Sequence, residues 1–152
     1  MNIVLDTTVA LAYFTGEQQI LRNVPQEVDP FIDGNRPVIS VLTKAELLSL
    51  GYRQGWSGVE QRALADLLNR FIAMPIADPA LMQRFAELDA YSRGRHPERM
   101  LPVGIRARKL SRNDLWIAAL ASVLNAPLLS TSTIFMRFEE VFLRPVLLHE
   151  RA

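Results

Sequence analysis

The sequence predicts an α/β protein with a parallel sheet covered by helices on both faces. Its apolar runs are short and continuous, as in Ile3–Val4–Leu5, Val38–Ile39 and Leu128–Leu129, whereas a half-exposed strand would alternate apolar with polar residues. Helical patterns separate these runs, and two of them open on strong caps, Ser57 with Glu60 and Asp78 with Pro79. Strands and helices in such alternation point to crossover connections and parallel pairing.

Taken in order, residues 2–5 form a first short strand, followed by a helix from about Thr8 to Phe14 and a second helical stretch after Gly16. Pro25, Pro30 and Asp33–Gly34 mark turns. Pro37–Val38–Ile39–Ser40 is the second strand, and Ser40 or Thr43 is placed to cap the helix VLTKAELLSLGYR. The Ser57 to Glu60 capping box starts a helix expected to reach about Phe71, and Ile72 to Ala77 reads as the third strand. Asp78 then caps PALMQRFAELDAYS, with Pro79 at the first helical position. Asn113 begins the helix DLWIAALASVLN, which is apolar nearly all round and therefore expected to be buried, until Asn125 and Pro127 stop it. Leu128–Leu129–Ser130 and Pro145–Val146–Leu147–Leu148 complete the set as fourth and fifth strands.

With 152 residues and no repeat or linker, the chain reads as one domain, residues 1–152, able to bury roughly 70% of its unfolded surface. Cysteine is absent, which excludes disulfides, zinc–thiolate sites and thiol catalysis and makes a reducing cytosol the expected compartment. No apolar run approaches the ~20 residues of a membrane span, and the N-terminus has no basic lead-in, so a cytoplasmic protein without membrane association is expected. A net charge of +1 says little about partners, which must be sought in local clusters. No Ser/His/Asp ordering is evident, His96 and His149 lack catalytic neighbours and read as surface residues, and Gly51, Gly55 and Gly58 fit no phosphate-cradling loop.

The predicted architecture turns scattered acids into a place. Ligands of open α/β sheets bind outside the carboxyl ends of the strands. Asp6 ends the first strand and sits there. Glu46 lies about one turn into the helix after the second strand, and helical side chains tilt back toward their own N-terminus. Asp114 opens the helix that leads to the fourth strand, so it too belongs at that edge. Each acid alone reads as a cap, a solvated helix position or a dipole partner. Together, with Glu46 flanked by Ala45 and Leu47–Leu48 and Asp114 on an apolar helix, they read as buried carboxylates without adjacent basic partners, which a cation would neutralise. Hard oxygen donors suit Mg²⁺ or Mn²⁺.

The segments LDTTVALAYF, ISVLTKAELLSL and LSRNDLWIAALASVLNAPLLS, with their acids in this order and context, resemble the PIN domain, specifically the VapC-type toxin ribonucleases of bacterial toxin–antitoxin pairs. The likeness covers nearly the whole chain, and NDLWIAA is its most specific piece. It implies a three-layer α/β/α fold with a five-stranded parallel sheet in order 3-2-1-4-5, a homodimer, Mg²⁺-dependent endonucleolysis of RNA and a cognate antitoxin. It also implies that Asp6, Glu46 and Asp114 are metal ligands and catalytic residues, with Thr7, Thr8, Asn113, Ser130 and Ser132 in supporting positions.

The departure from that pattern is in PLLSTSTIF, where the family carries a further acid and this chain has Ser132. A neutral hydroxyl reaches a cation only weakly, so one metal position is expected to be weak. The hydroxyl-rich loop also reads as a cap for the following turn, a role best suited to Thr131. RNA needs cationic surface, and RGRHPERMLPVGIRARKLSRND holds the one concentrated patch, with Arg106, Arg108, Lys109 and Arg112 the candidates for phosphate contact; the same residues read equally as a solvated loop. Two functions follow: an active metal-dependent endoribonuclease toxin, or a PIN-like binding module weakened by the missing acid.

Overall fold

A computed structural model describes residues 1–148. Five strands, β1 (Asn2–Leu5), β2 (Arg36–Ser40), β3 (Ile72–Met74), β4 (Pro127–Ser130) and β5 (Arg144–Leu147), form one parallel sheet in the order β3-β2-β1-β4-β5. Val4 of the central strand pairs with Val38 on one side and Leu128 on the other, which brings the carboxyl ends of β1, β2 and β4 to one edge. The predicted fold class and strand order are those observed.

Alternation along each strand sends side chains into two cores. Val4, Val38 and Leu128 face a layer containing α5 (Pro79–Ser92) and α6 (Arg112–Val123), while Ile3, Leu5, Ile39 and Leu129 face α1 (Thr7–Thr15), the short α2 (Gln18–Leu21), α3 (Val41–Arg53) and α4 (Gly58–Leu68). The all-round apolar character of α6 has a direct cause. It lies against α5 on one side and the sheet on the other, so Leu115 and the run Ile117–Ser122 are buried.

Element boundaries differ from expectation where local chemistry intervenes. α4 ends at Leu68 rather than near Phe71, because Arg70 and Phe71 donate to Leu67 and Leu68 in tight i→i−3 bonds that close the helix. β3 stops at Met74 rather than Ala77, since Pro75 has no N–H to continue the ladder. α6 starts at Arg112 rather than Asn113 because Ser111 is the cap. Asn125, at φ 49°, takes the left-handed conformation that turns the chain from α6 into β4. Among the described residues no helix is long and apolar enough to cross a membrane. His149 lies outside the described residues.

Candidate metal centre and nucleic-acid interface

Asp6 follows the last residue of β1 and caps α1, its Oδ1 accepting from the Val9 amide at 2.9 Å. Ser130, at the carboxyl end of the neighbouring β4, donates its hydroxyl to Asp6 Oδ2 at 2.5 Å. The side chain is 6% exposed. Burial pushes its pKa up, the Ser130 and Val9 bonds oppose that rise, the Asp114 charge adds to it, and the Thr131 amide again opposes it. Asp6 is thus both cap and buried charge, and the nearest charge it feels is another acid.

Asp114 is set by Ser111, whose Oγ accepts from the Asp114 amide at 3.1 Å and fixes the first turn of α6. Sequence reasoning passed over Ser111, although a Ser three residues before an acid at a helix start is a capping signal. Asp114 is half-buried.

Glu46 is exposed, contrary to the expectation that its apolar neighbours would bury it. The stripe that α3 turns inward is Thr43, Leu47 and Gly51, at intervals of one turn, and Glu46 falls beside that stripe. Its carboxylate is nevertheless held: Oε2 accepts from Asn113 Nδ2 at 3.1 Å and lies 3.3 Å from the Thr7 hydroxyl. Asn113 Nδ2 also reaches Thr7 Oγ1 at 3.3 Å, and Thr43 Oγ1 lies 3.3 Å from the same atom. A hydroxyl has one proton, so if Thr7 donates to Glu46, Thr43 donates to Thr7. Thr7 follows Asp6 and Asn113 precedes Asp114, so this network ties Glu46 to both of the other acids through their neighbours. Thr8 is exposed on α1.

Ser132 is exposed and is itself the cap of the 3₁₀ turn Thr133–Phe138, its Oγ accepting from the Ile134 amide at 3.3 Å. The capping role expected of Thr131 therefore belongs to Ser132. Its own amide donates to Ser130 Oγ at 2.9 Å, so the loop after β4 closes around the serine that holds Asp6.

The basic segment is folded back on α5. Ser92 Oγ donates to the Arg108 carbonyl and the Arg108 amide donates to the Ser92 carbonyl, each at 2.7 Å. Arg137, from the 3₁₀ turn, donates through Nη1 to Ser92 Oγ at 2.8 Å and to the Arg106 carbonyl at 3.3 Å. Ser92 and Arg137 carried no sequence signal, being a helix-terminal serine and one base in an apolar turn. Arg106, Arg108, Lys109 and Arg112 are exposed, Arg93 pairs with Asp89 at 2.9 Å, and Arg99 lies over the Phe142 ring at 5.2 Å. His96 is partly exposed at the surface, its Nδ1 accepting from the amides of Glu98 and Arg99 at 3.2 and 3.1 Å. It shapes a loop.

The oxygens these side chains offer are of the hard type that divalent cations take. Asp6 is a buried carboxylate that feels the charge of a second acid, the side chains around it that could meet a cation offer carboxylate, hydroxyl and amide oxygens, and Asn113 Oδ1 is buried without a hydrogen-bond partner. Asp6 and Asp114 stand within electrostatic reach of each other, whereas Glu46 is linked to them through Thr7 and Asn113. Among the described residues no three acids or histidines stand gathered as a group able to hold an ion.

Fold and site together define a doubly covered parallel α/β domain with acids at the carboxyl edge of its central strands. The chain belongs to the PIN domain family, whose model matches residues 3–140. No curated protein sequence matches it. Among solved structures it is similar to VapBC2 from Rickettsia felis bound to a DNA fragment from their promoter, with 18% identity, a TM-score of 0.72, and coverage of 98% of this chain and 100% of that one. It is also similar to VapBC-1 from nontypeable Haemophilus influenzae, at 23% identity and TM-score 0.68 over 97% and 98% of the two chains. FitAcB from Neisseria gonorrhoeae matches at 21% identity and TM-score 0.59 over 94% and 95%. At these identities the likeness is one of fold.

Proposed function

We propose that this chain is a divalent-metal-dependent endoribonuclease, the toxin of a type II toxin–antitoxin pair, acting in the cytoplasm as a homodimer and held in check by a cognate antitoxin. PIN family membership and the likeness to VapBC chains support the reading. The observation that carries it is Asp6: a carboxylate buried at the carboxyl edge of the sheet, beside Asp114, with no cationic partner among the described residues. Such an arrangement is costly for a structural role and suited to a cation-binding one.

Asp6, Asp114 and Glu46 are the residues that would hold Mg²⁺ or Mn²⁺. A bound divalent ion supplies an activated water and offsets charge on the phosphate oxygens. The chain's own work is positional. Ser130 and the Val9 amide fix the Asp6 carboxylate, Ser111 fixes the first turn that carries Asp114, and Thr7 and Asn113 restrain Glu46. Arg106, Arg108, Lys109 and Arg112 offer exposed cations for the RNA backbone, Arg112 at the first residue of α6 beside the acids.

The test is cleavage of mixed cellular RNA with Mg²⁺, Mn²⁺ or chelator, beside an Asp6→Ala control. Divalent-dependent cutting lost in the variant is the expected result; cutting that survives Asp6→Ala or chelation refutes the assignment. A second reading, a PIN-like module with weakened catalysis, is favoured by one observation: Ser132, where the family pattern has an acid, is committed to capping a turn. Wild-type protein that binds RNA but leaves it intact with either ion selects that reading.

A further inference from the structure

The connection from α5 to α6 leaves its helix through Gly94, at φ +70°, whose amide donates to the Tyr91 carbonyl at 3.0 Å, and the Arg95 amide then donates to the Ala90 carbonyl at 2.8 Å. Beyond this point the backbone has no helix to bond to. The amides of Glu98 and Arg99 find no backbone acceptor among the described residues, and both turn to His96 Nδ1, at 3.2 and 3.1 Å. One ring nitrogen thus holds residues 96–99 closed.

That geometry fixes the state of the imidazole. A nitrogen that accepts carries no proton, so the ring is neutral with its hydrogen on Nε2. Protonation puts a hydrogen on Nδ1, where two N–H groups already point, and turns the one acceptor of the turn into a third donor. The ring can then satisfy neither amide.

The surroundings offer a charged ring another place. His96 lines an open concavity of about 430 Å³, with Gln83 and Glu87 contributed by α5 and Glu98 and Arg99 by the connection itself. From the segment ahead of β5 comes the Phe142 ring, edge-on to the imidazole at 6.3 Å, with the guanidiniums of Arg99 and Arg84 over it at 5.2 and 5.8 Å. Glu87 is taken by Arg84 at 3.2 Å, whereas Glu98 has no cationic partner among the described residues. The charges around His96 are therefore two cations that oppose a protonated ring, one carboxylate already paired, and one carboxylate left free in the same turn. A neutral ring belongs on the amides, and an imidazolium belongs with Glu98.

We propose that His96 is an acid-sensitive clasp: as a neutral ring it closes residues 96–99, and as an imidazolium it leaves the amides for the Glu98 carboxylate and releases the start of the α5–α6 connection. Release also frees Arg99, whose amide the clasp holds over the face of Phe142. The clasp does not depend on the nuclease reading. It is a two-state element biased by one proton.

The experiment is NMR of the whole chain in a His149→Gln background, which leaves His96 as the one imidazole. Ring nitrogen shifts report the tautomer at pH 7.5, and the shifts and hydrogen-exchange protection of the Glu98 and Arg99 amides are followed down to pH 5. The expected result is an Nε2–H ring at pH 7.5 and a fall in protection of both amides by roughly fivefold or more, the factor that one ordinary hydrogen bond represents, along the ring's own titration curve. His96→Asn, whose side-chain carbonyl accepts without titrating, should keep both amides fixed across the range, and His96→Ala should leave them unprotected throughout. Glu98→Gln should move the opening to lower pH. An Nδ1–H ring at pH 7.5, amides indifferent to the ring's titration, an opening unmoved by Glu98→Gln, or the same pH dependence in His96→Asn overturns the proposal. So does a loss of far-UV circular dichroism over the same range, which would make the opening global rather than local.

Discussion

Replacing Ser130 with alanine isolates what holds the buried acid. The Ser130 hydroxyl is 1% exposed as part of its residue and serves two partners, donating to Asp6 Oδ2 and accepting from the Ser132 amide. A hydrogen bond to an ionised group contributes about 1.5–3 kcal/mol, so Ser130→Ala should cost ~2–3 kcal/mol at neutral pH in metal-free protein. For a domain of this size that lowers Tm by about 4–12 °C. The loss should depend on pH. The folded-state pKa of Asp6 is raised, so the stability linked to this carboxyl is fully present below its unfolded value of 3.8 and fades as pH rises through the folded value. The Ser130 bond opposes that rise, so without it Asp6 titrates still higher and the fading is larger. Ser130→Ala should therefore cost least in acid and most at neutral pH. The assay is urea unfolding in chelator at pH 4.5 and 7.5. A loss equal at both pH values, or below about 0.5 kcal/mol at pH 7.5, as for an ordinary surface substitution, would refute the reasoning.

Asp6→Asn keeps size and the capping oxygen but removes the buried charge and turns the acceptor of the Ser130 hydroxyl into a donor, so the metal-free variant should show a smaller gain in stability on acidification than wild type, while losing divalent-dependent cleavage; thermal melts across pH and an RNA assay check both. Asn113→Ala frees Glu46 from its 3.1 Å donor and should reduce divalent affinity roughly 10- to 100-fold, read by calorimetry, with little change if Glu46 takes no part in binding. Ser132→Asp preserves a side chain able to cap the 3₁₀ turn and restores an acid, so it should raise Mn²⁺ and Mg²⁺ affinity and cleavage rate together, and Mn²⁺ should serve wild type better than Mg²⁺. Calorimetric titration with each ion, matched to cleavage rates, decides it; two tightly bound ions in wild type would contradict the expected deficit.

The sequence by itself determined the sheet, because unbroken apolar runs require burial on both faces and burial on both faces requires crossover helices. It placed Asp6 at a strand end and Asp114 at a helix start, since both positions follow from local pattern. What it misjudged was local in sequence but decided in space. Glu46 sits among apolar neighbours, yet which side of α3 meets the sheet is a tertiary matter, and the chosen stripe of Thr43, Leu47 and Gly51 leaves it exposed. Likewise Ser130, Ser132 and Thr131 are interchangeable as hydroxyls in a loop, and only the pairing of β4 beside β1 makes Ser130 the one that reaches Asp6. Ser92 and Arg137, which anchor the backbone of the basic segment, are 45 residues apart, so nothing in either neighbourhood announces their contact. Local propensity and periodicity act over a few residues and were legible; hydrogen bonds between elements depend on packing, which the linear pattern does not encode.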